Sequence, residues 1–409
     1  MSSKPLHVLI IGAGIGGLTL AQGLRKRGIS FEVFERDASR EARPQGYALG
    51  LYDLDGLFCD SLPDDIPPLS TTSHLLPLAL PSQIIYHFPR GQMMYVEDSA
   101  KTPCLRANRD RLRDTLSTGI AIRWGKSASR IEEGDERVTV IFEDGTSAWG
   151  DILVGADGTF STVRPHVLNT PNETILDRFP ATVILGETKL SGAEMEQQLQ
   201  LGHSCAVVFG TDFVLLNALN RVQVDGDGKV SGDYYWIVHK PDQTVGDPNH
   251  WQETATAEQA LEWAREKVGE LEPPFREAVE KTGVEGVKHR LKYWDASISK
   301  LPLVKRVLLI GDAAHPIAPT RGEGAILAIR DAVQLSAVLG DNRTLGIADL
   351  RARLNEFQQE VVSRGYAATQ ASRGAVVKAR AGNEPPIAWG HRAKVLETLK
   401  PLPINLTAD

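Results

Sequence analysis

Three glycine-containing motifs, far apart in the chain, carry the residues best suited to bind a nucleotide. They are Gly12-Ala13-Gly14-Ile15-Gly16-Gly17, Gly155-Ala156-Asp157-Gly158 and Gly311-Asp312-Ala313-Ala314-His315-Pro316. In the first motif, Gly12, Gly14 and Gly17 permit a tight strand-to-helix turn. They also let a pyrophosphate approach backbone N–H groups at the N-terminus of the helix. This spacing predicts a dinucleotide site and leaves open whether the ligand is NAD or FAD.

A carboxylate follows the first motif at the distance that a ribose requires. Glu35 ends a predicted strand, Phe31–Glu35, where it can accept hydrogen bonds from a ribose diol. Strand, glycines, helix, second strand and acid then form a βαβ unit of ordinary length. A glycine turn that binds nothing is the alternative, and it does not explain this combination.

The late motif favours a flavin. Asp312 follows a predicted buried strand, Arg306–Ile310, and could bind a ribityl hydroxyl or, alternatively, cap the next helix. The glycine-rich segment Arg321–Ala325 opens a helix whose positive end would face the ligand. A reduced flavin is negative at its N1–C2=O edge, so such a helix end would stabilise it. The two motifs together therefore predict FAD.

The elements that must position these motifs follow from hydrophobic periodicity. Val8–Ile11 and Asp151–Val154 are apolar runs typical of parallel strands covered on both faces. Leu18, Ala21 and Leu24 recur at helical spacing until Gly28. Further predicted elements are a helix starting at Arg109–Leu116, strands at Val138–Phe142, Ala181–Leu185, Ala206–Phe209, Val214–Leu219 and Tyr234–Val238, a helix at Thr256–Val268, and two C-terminal helices with apolar faces at Ile326, Ile329, Val333, Ala337 and at Leu350, Leu354, Phe357, Val361.

These elements predict an α/β protein: a Rossmann-like FAD-binding domain of glutathione-reductase type, with an inserted β-sheet substrate domain and C-terminal helices. We place the first part of the FAD-binding domain at 1–170, the substrate domain at 171–290, and the second part with the C-terminal helices at 291–409. Residues 60–100 show no clear pattern, but 70–100 are expected to contribute to the substrate domain.

Composition excludes several other classes. The net charge of −7 argues against a nucleic-acid or anionic-membrane partner, though not against a local basic pocket. The three cysteines form no CxxC pair and the ten histidines no cluster, so we expect neither a disulfide framework nor a metal site. No stretch approaches the length of a membrane span, and we expect a cytoplasmic protein.

The three motifs, with Ser161 and Arg164 after the second, resemble the single-component FAD-dependent aromatic monooxygenases of the para-hydroxybenzoate hydroxylase type. The resemblance covers roughly residues 1–170 and 290–375. It implies roles for individual residues. Glu35, followed by Arg36, would bind the adenosine ribose, Arg109 the pyrophosphate or ribityl region, and Asp312 the ribityl chain or phosphate. Gly46 and Ala48 would lie against the flavin, Asp157 near a site shared by FAD and NAD(P)H, and Gly324 and Ala325 would offer backbone N–H groups to the ring.

Two positions depart from the family pattern. Ile326 stands where many members have Asn, so a side-chain contact from that position is absent. Arg321-Gly322-Glu323-Gly324 replaces the commoner Gly-Gly-x-Gly and is similar to fungal members of secondary metabolism. The sequence has one dinucleotide fingerprint, which suits an enzyme that NAD(P)H visits transiently.

The resemblance implies reduction of FAD by NAD(P)H, formation of a C4a-hydroperoxide with O₂, and hydroxylation or epoxidation of an electron-rich aromatic or alkene, as in natural-product biosynthesis. A flavin halogenase, a flavin-dependent reductase and a non-redox binding protein of the GDP-dissociation-inhibitor type are the alternatives. The halogenase run Trp-x-Trp-x-Ile-Pro is absent from the sequence. A protein that binds no flavin would not need the segment at 311–325.

No catalytic acid or base stands out, since no spacing singles out a Tyr or His. The candidates to line the substrate pocket are aromatic, although a core position is the favoured interpretation of each. They are Tyr47, Phe209, Phe213, Tyr234, Trp236 and His289.

Overall fold

The fold comes from a computed structural model, which describes residues 6–44, 46–52, 56–288, 291–342, 345–382, 393–399 and 406. Its strands are β1 (His7–Ile11), β2 (Ser30–Phe34), β3 (Leu49–Tyr52), β4 (Gln83–His87), β5 (Met93–Glu97), β6 (Cys104–Ala107), β7 (Ile122–Arg123), β8 (Ala128–Glu133), β9 (Val138–Phe142), β10 (Ser147–Gly150), β11 (Ile152–Gly155), β12 (Asp177–Arg178), β13 (Ala181–Ser191), β14 (Cys205–Phe209), β15 (Val214–Val224), β16 (Val230–Pro241), β17 (Val287–Lys288), β18 (Trp294–Asp295), β19 (Val307–Leu309) and β20 (Lys394–Val395). Its α-helices are α1 (Ile15–Lys26), α2 (Leu57–Ser61), α3 (Arg109–Ser117), α4 (Arg164–Leu168), α5 (Asn172–Ile175), α6 (Gly192–Leu201), α7 (Trp251–Thr254), α8 (Ala257–Val268), α9 (Pro273–Glu280), α10 (Gly324–Asp341) and α11 (Ile347–Gly382).

A five-stranded sheet carries the three motifs, and we call it the nucleotide sheet. Its strand order is β19-β11-β1-β2-β7, and all its pairings are parallel. The strand β1 lies at its centre and contacts both α1 and β10, so the apolar run Val8–Ile11 is almost fully buried. The predicted strands and the first helix are confirmed, and the three motifs follow β1, β11 and β19 at one edge of the sheet.

A second, eight-stranded sheet forms the opposite part of the molecule, and we call it the substrate sheet. Its order is β17-β13-β16-β15-β14-β4-β5-β20, with β14 and β4 parallel. The predicted segments between 181 and 240 are strands, and β13, β15 and β16 extend further than predicted. The strands β4 and β5 come from the region 60–100, where the sequence pattern assigned no element. The domain boundaries themselves stay predictions.

The two faces of the substrate sheet have different neighbours. Leu215, Trp236 and Val238 point to a core that they share with residues of α6, α8 and α9. Leu216 and Ile237, which alternate with them, point toward the nucleotide sheet and line a cavity. Side chains alternate between the faces of a strand, so the sheet can bury a core on one side and shape a ligand site on the other.

Two long helices follow the late motif. The helix α10 packs against α1 and α11, and its predicted apolar face at Ile326, Ile329 and Val333 is buried. The predicted face of α11 at Leu350, Leu354, Phe357 and Val361 is buried as well. Within the described residues, none of the helices combines the length and apolar character that crossing a bilayer needs.

Candidate active site

A cavity of about 630 Å³ lies between the nucleotide sheet and the substrate sheet. Loops that follow β1, β11 and β19 form one wall, with Gly14, Gly158 and Asp312 among its residues. Alternate residues of β14, β15 and β16 form the other wall. The cavity is the size of a ligand site, and it lies beyond the carboxyl ends of parallel strands, where α/β proteins bind ligands.

The glycines of the first motif have separate tasks. Gly12 has φ +109°, and a Cβ there would lie 2.4 Å from the carbonyl oxygen of Ala156. A Cβ on Gly17 would lie 2.0 Å from the carbonyl oxygen of Gly12. These two glycines therefore make the turn possible, but they do not line the cavity. Gly14, at the N-cap of α1, lines the cavity and has no atom within 4 Å of its ideal Cβ position.

Glu35 lies beside this turn rather than in the cavity wall. Its Oε2 accepts a hydrogen bond from the backbone N–H of Ala13 at 2.8 Å, and the guanidinium of Arg113 lies 3.8 Å away. Arg113 is buried and donates from Nε to the carbonyl oxygen of Ala13. Sequence reasoning missed Arg113, although its position one helical turn after Arg109 places both on one face of α3. Arg36 is exposed.

Asp312 is the acidic residue of the late motif, and it lines the cavity. It follows β19, and Gly311 before it has φ +57°, with its ideal Cβ position 2.9 Å from the Cβ of Ala328. Burial raises the pKa of the Asp312 carboxyl, and His315 and Arg109 oppose that shift. A carboxylate held there can accept hydrogen bonds from hydroxyl groups of a ligand.

Arg109 supplies a cation to the same end of the cavity. The guanidinium forms no hydrogen bond or ion pair with another described residue, although Asp312 acts on it electrostatically. Burial lowers the pKa of Arg109 and Asp312 opposes that shift. Gly46 and Ala48 also line the cavity, and an ideal Cβ on Gly46 would lie 3.4 Å from Nη1 of Arg109. An unpaired guanidinium beside a glycine suits an anionic group that approaches the backbone closely.

The second motif acts as internal support. Asp157 Oδ2 accepts hydrogen bonds from the backbone N–H groups of Thr162 at 2.6 Å and Val163 at 3.3 Å. Arg164 is fully buried and donates to the carbonyl oxygens of Asp312 and Ala313. This motif therefore links the loop after β11 to the loop after β19. The other oxygen of Asp157 is buried without a described partner, and Asp157 does not line the cavity, although Gly158 does.

The N-terminus of α10 faces the cavity through Gly324 and Ala325. Its first residue is Gly324, and the side chain of the preceding residue, Glu323, makes no capping hydrogen bond. The first N–H groups of a helix have no partner within the helix and carry its positive end. They can therefore stabilise negative charge on a ligand in the cavity.

A buried charge network fixes α10 to the loop of the late motif. Asp331 on α10 accepts hydrogen bonds from the backbone N–H of Gly311 at 2.8 Å and from Nε2 of His315 at 2.7 Å. Its other oxygen accepts from Arg364 on α11 at 2.7 Å. Asp331 is fully buried; burial raises its pKa, but His315 and Arg364 lower it by more, so the carboxylate stays ionised. Sequence reasoning missed Asp331, whose only signal is a charge on the apolar side of a helix.

Among the described candidates, Tyr47 alone lines the cavity. Its ring stacks on that of Tyr235 with centroids 4.0 Å apart, and its hydroxyl donates to Glu187 at 2.6 Å. Burial, with Glu187 nearby, raises the pKa of Tyr47 well above its usual value, so it stays a neutral phenol.

Of the other candidates, four are core residues, which is the interpretation that the sequence favours for each, and one lies outside the described residues. Phe213, Tyr234 and Trp236 are buried in the core on the opposite face of the substrate sheet, and Phe209 stacks on Phe88 away from the cavity. Among the described residues, the aromatic side chains that line the cavity are those of Tyr47, Tyr52, Tyr86, Tyr235, His239 and Tyr293. A shift of one residue in a strand changes the face, and the sequence did not determine which face was which. His289 lies outside the described residues.

Comparison with known families supports a flavin site. Residues 5–344 match the family model described as FAD binding domain. The FAD-dependent monooxygenase thnD of Trichoderma harzianum is 43% identical over 389 residues, which are 93% of this chain and 96% of the relative. The FAD-dependent monooxygenase cctM of Talaromyces islandicus is 26% identical, over 90% of this chain and 91% of the relative.

Solved structures share the fold. The crystal structure of Klebsiella pneumoniae HpxO, complexed with FAD and uric acid, superposes with a TM-score of 0.69. It is 23% identical and the match covers 92% of this chain and 89% of that chain. The 2,6-dihydroxypyridine-3-hydroxylase of Arthrobacter nicotinovorans superposes with a TM-score of 0.66 at 19% identity, over 93% of this chain and 94% of that one.

Proposed function

The chain belongs to the FAD binding domain family and is an FAD-dependent monooxygenase of that family; on that premise we propose that it uses NAD(P)H and O₂ to hydroxylate or epoxidise an electron-rich aromatic or alkene. We further propose that the substrate is an intermediate of fungal natural-product biosynthesis. The fungal relatives named above support that setting.

The cavity fits FAD in the chemistry of its lining. Gly14 and the N-terminus of α1 would hold the pyrophosphate with Arg109, and Asp312 would accept hydrogen bonds from the ribityl chain. Gly46, Ala48, Gly324 and Ala325 would lie against the ring, where small residues let the backbone approach. Gly12, Gly17, Glu35, Arg36 and Asp157 do not line the cavity, and their predicted roles toward the cofactor stay predictions.

The observation that carries the proposal is the pairing of two unlike walls around one cavity. Among the described residues, the wall of loops offers glycines, one carboxylate, one guanidinium without an ion-pair partner and a helix N-terminus. The wall of strands offers apolar side chains such as Val207, Leu216 and Ile237. Bound FAD would supply hydride acceptance and activation of O₂. This chain's residues would hold the substrate against it and exclude water, which favours oxygen transfer over release of peroxide.

NAD(P)H would bind only transiently. The sequence has one dinucleotide fingerprint, and FAD would occupy it. The nicotinamide would therefore approach the flavin from solvent. Oxygen consumption distinguishes this proposal from the alternative, a flavin-dependent reductase of the same fold. A monooxygenase consumes O₂ in proportion to substrate, whereas a reductase does not.

The test is a visible spectrum of the purified protein, followed by substrate-triggered bleaching of the flavin with NADPH in the absence of O₂. Oxygen uptake is then measured with a panel of polycyclic phenols and alkenes. A protein that shows no flavin absorbance and takes up no added FAD, or whose flavin NAD(P)H does not reduce, would contradict the proposal.

Asp312→Ala provides the residue-level test of the flavin site. Loss of a hydrogen bond to a charged group costs about 1.5–3 kcal/mol, so FAD should bind about ten- to a hundredfold more weakly. Asp341→Ala, which removes an exposed carboxylate at the C-terminal end of α10, away from the cavity lining, is the matched control and should retain FAD. Unchanged FAD affinity in Asp312→Ala would remove the role assigned to Asp312. FAD titration followed by flavin fluorescence measures both variants.

A further inference from the structure

A second cavity lies on the opposite side of the substrate sheet from the flavin site. It has a volume of about 340 Å³ and is lined by residues of α7, α8 and the turn between them. The helix α8 contacts β13 and α9 and belongs to the core on that side of the sheet. The residues that line this cavity are all different from those that line the flavin cavity. We call it the tryptophan pocket, because Trp251 and Trp263 line it.

The two tryptophan rings of the pocket lie side by side. Their centroids are 5.4 Å apart and their planes are tilted by 37°. Trp251 belongs to α7 and Trp263 to α8, and both are half-buried. The face of an indole ring carries the negative part of its quadrupole and attracts a cation that lies over it. A cation in the pocket would therefore contact aromatic side chains from two different helices.

One face of α8 brings carboxylates to the same pocket. Gln259, Glu262, Trp263 and Glu266 are spaced three and four residues apart, so they lie on one side of the helix. All four line the pocket. The helix begins in a capping box, in which Thr256 and Gln259 exchange hydrogen bonds between side chain and backbone. This cap fixes the first turn of α8 beside α7, and with it the position of the pocket.

The described residues do not neutralise the negative charge of the pocket. Glu262 and Glu266 are exposed, and Glu262 forms no ion pair with a described residue. Lys267 lies 4.0 Å from Glu266, but it also lies 3.9 Å from Asp212. Arg265 donates to backbone carbonyls beyond α9. Like charges four residues apart on a helix repel each other, so a cation bound beside Glu262 and Glu266 would relieve that repulsion.

We propose that the tryptophan pocket binds a small organic cation that carries a methylated ammonium group, such as choline. The charge of this group is spread over its methyl groups, which pack on an aromatic face and give up little hydration. Glu262 and Glu266 supply the counter-charge. A metal ion does not suit the pocket, because the described residues contain no group of three side chains that could hold one. The site lies apart from the flavin cavity, so the proposal does not depend on the proposed function.

The test compares choline with 3,3-dimethylbutan-1-ol, a neutral molecule of the same shape in which carbon replaces nitrogen. The full-length, FAD-loaded protein is isotopically labelled at its seven tryptophans, and the indole N–H signals are followed by NMR at neutral pH. The signals of Trp251 and Trp263, assigned with Trp→Phe variants, should shift in a saturable way. We expect choline to bind with a Kd of about 1–10 mM and the neutral alcohol to bind at least about tenfold more weakly.

Charge and ring are tested by separate variants. Glu262→Gln combined with Glu266→Gln keeps the shape of the pocket and should weaken choline binding at least about fivefold. Added NaCl should weaken choline binding to wild type more than to this double variant. Trp263→Leu should also weaken choline binding at least about fivefold, and Trp263→Phe should restore part of it. Glu258→Gln is the matched control, because Glu258 is an exposed glutamate of the same helix that does not line the pocket.

Three results would overturn the proposal: equal binding of choline and the neutral alcohol, no shift of the Trp251 and Trp263 signals with choline, or unchanged choline binding in the double glutamine variant. Unshifted signals of the other tryptophans show that each variant has kept its fold. A peptide that contains trimethyllysine is the last ligand tested. If it binds at least about tenfold more tightly than choline, the small-molecule assignment is wrong and the pocket belongs to a protein interface. Weaker binding of the peptide than this supports the assignment.

Discussion

At the scale of single residues, two glycines of one motif should respond differently to the same substitution. Gly17→Ala places a Cβ against the carbonyl oxygen of Gly12, so we expect a loss of about 1–3 kcal/mol in stability and a lower melting temperature. Gly14→Ala meets no atom within 4 Å, so the apoprotein should lose less than about 1 kcal/mol. Its methyl group would instead face the pyrophosphate and weaken FAD binding. Thermal unfolding of the apoproteins and FAD titration measure the two effects, and equal melting temperatures in the variants would contradict this division.

At the scale of elements, the network of His315, Asp331 and Arg364 joins the flavin-side loop to α10 and α11. Burial lowers the pKa of His315, but Asp331 raises it by more, so the folded value lies above the ordinary one. The stabilisation is therefore complete below pH 6.5 and is lost as pH rises through the folded value. Between pH 6.5 and 8, the melting temperature of wild type should fall more steeply than that of His315→Gln. His203→Gln is the control, because burial lowers the pKa of His203 and its effect falls below this window. Parallel slopes for wild type and His315→Gln would contradict the assignment.

At the scale of the whole molecule, the two faces of the substrate sheet have different roles. Residues on one face stabilise the fold, and residues on the other face line the ligand cavity. Trp236 is fully buried among helices and donates to Thr282 at 2.7 Å, so Trp236→Phe should lower the melting temperature and change FAD affinity by less than about twofold. Ile237→Ala, at the adjacent position, opens the cavity wall. It should have a smaller effect on the melting temperature and should raise the share of NADPH that ends as peroxide. Peroxide yield and melting temperature measured on both variants test this, and a reversed pattern would contradict the assignment of faces.

The sequence by itself determined the cofactor side of the protein. The strand, turn and helix around Gly12, Gly14 and Gly17, the carboxylate at Glu35 and the loop at Asp312 are local patterns, because backbone sterics and the helix N-terminus act within a few residues. Their convergence at one sheet edge also follows from parallel strands. The substrate side was decided only by tertiary structure. Which of Tyr235 and Trp236 faces the cavity depends on the register of distant strands.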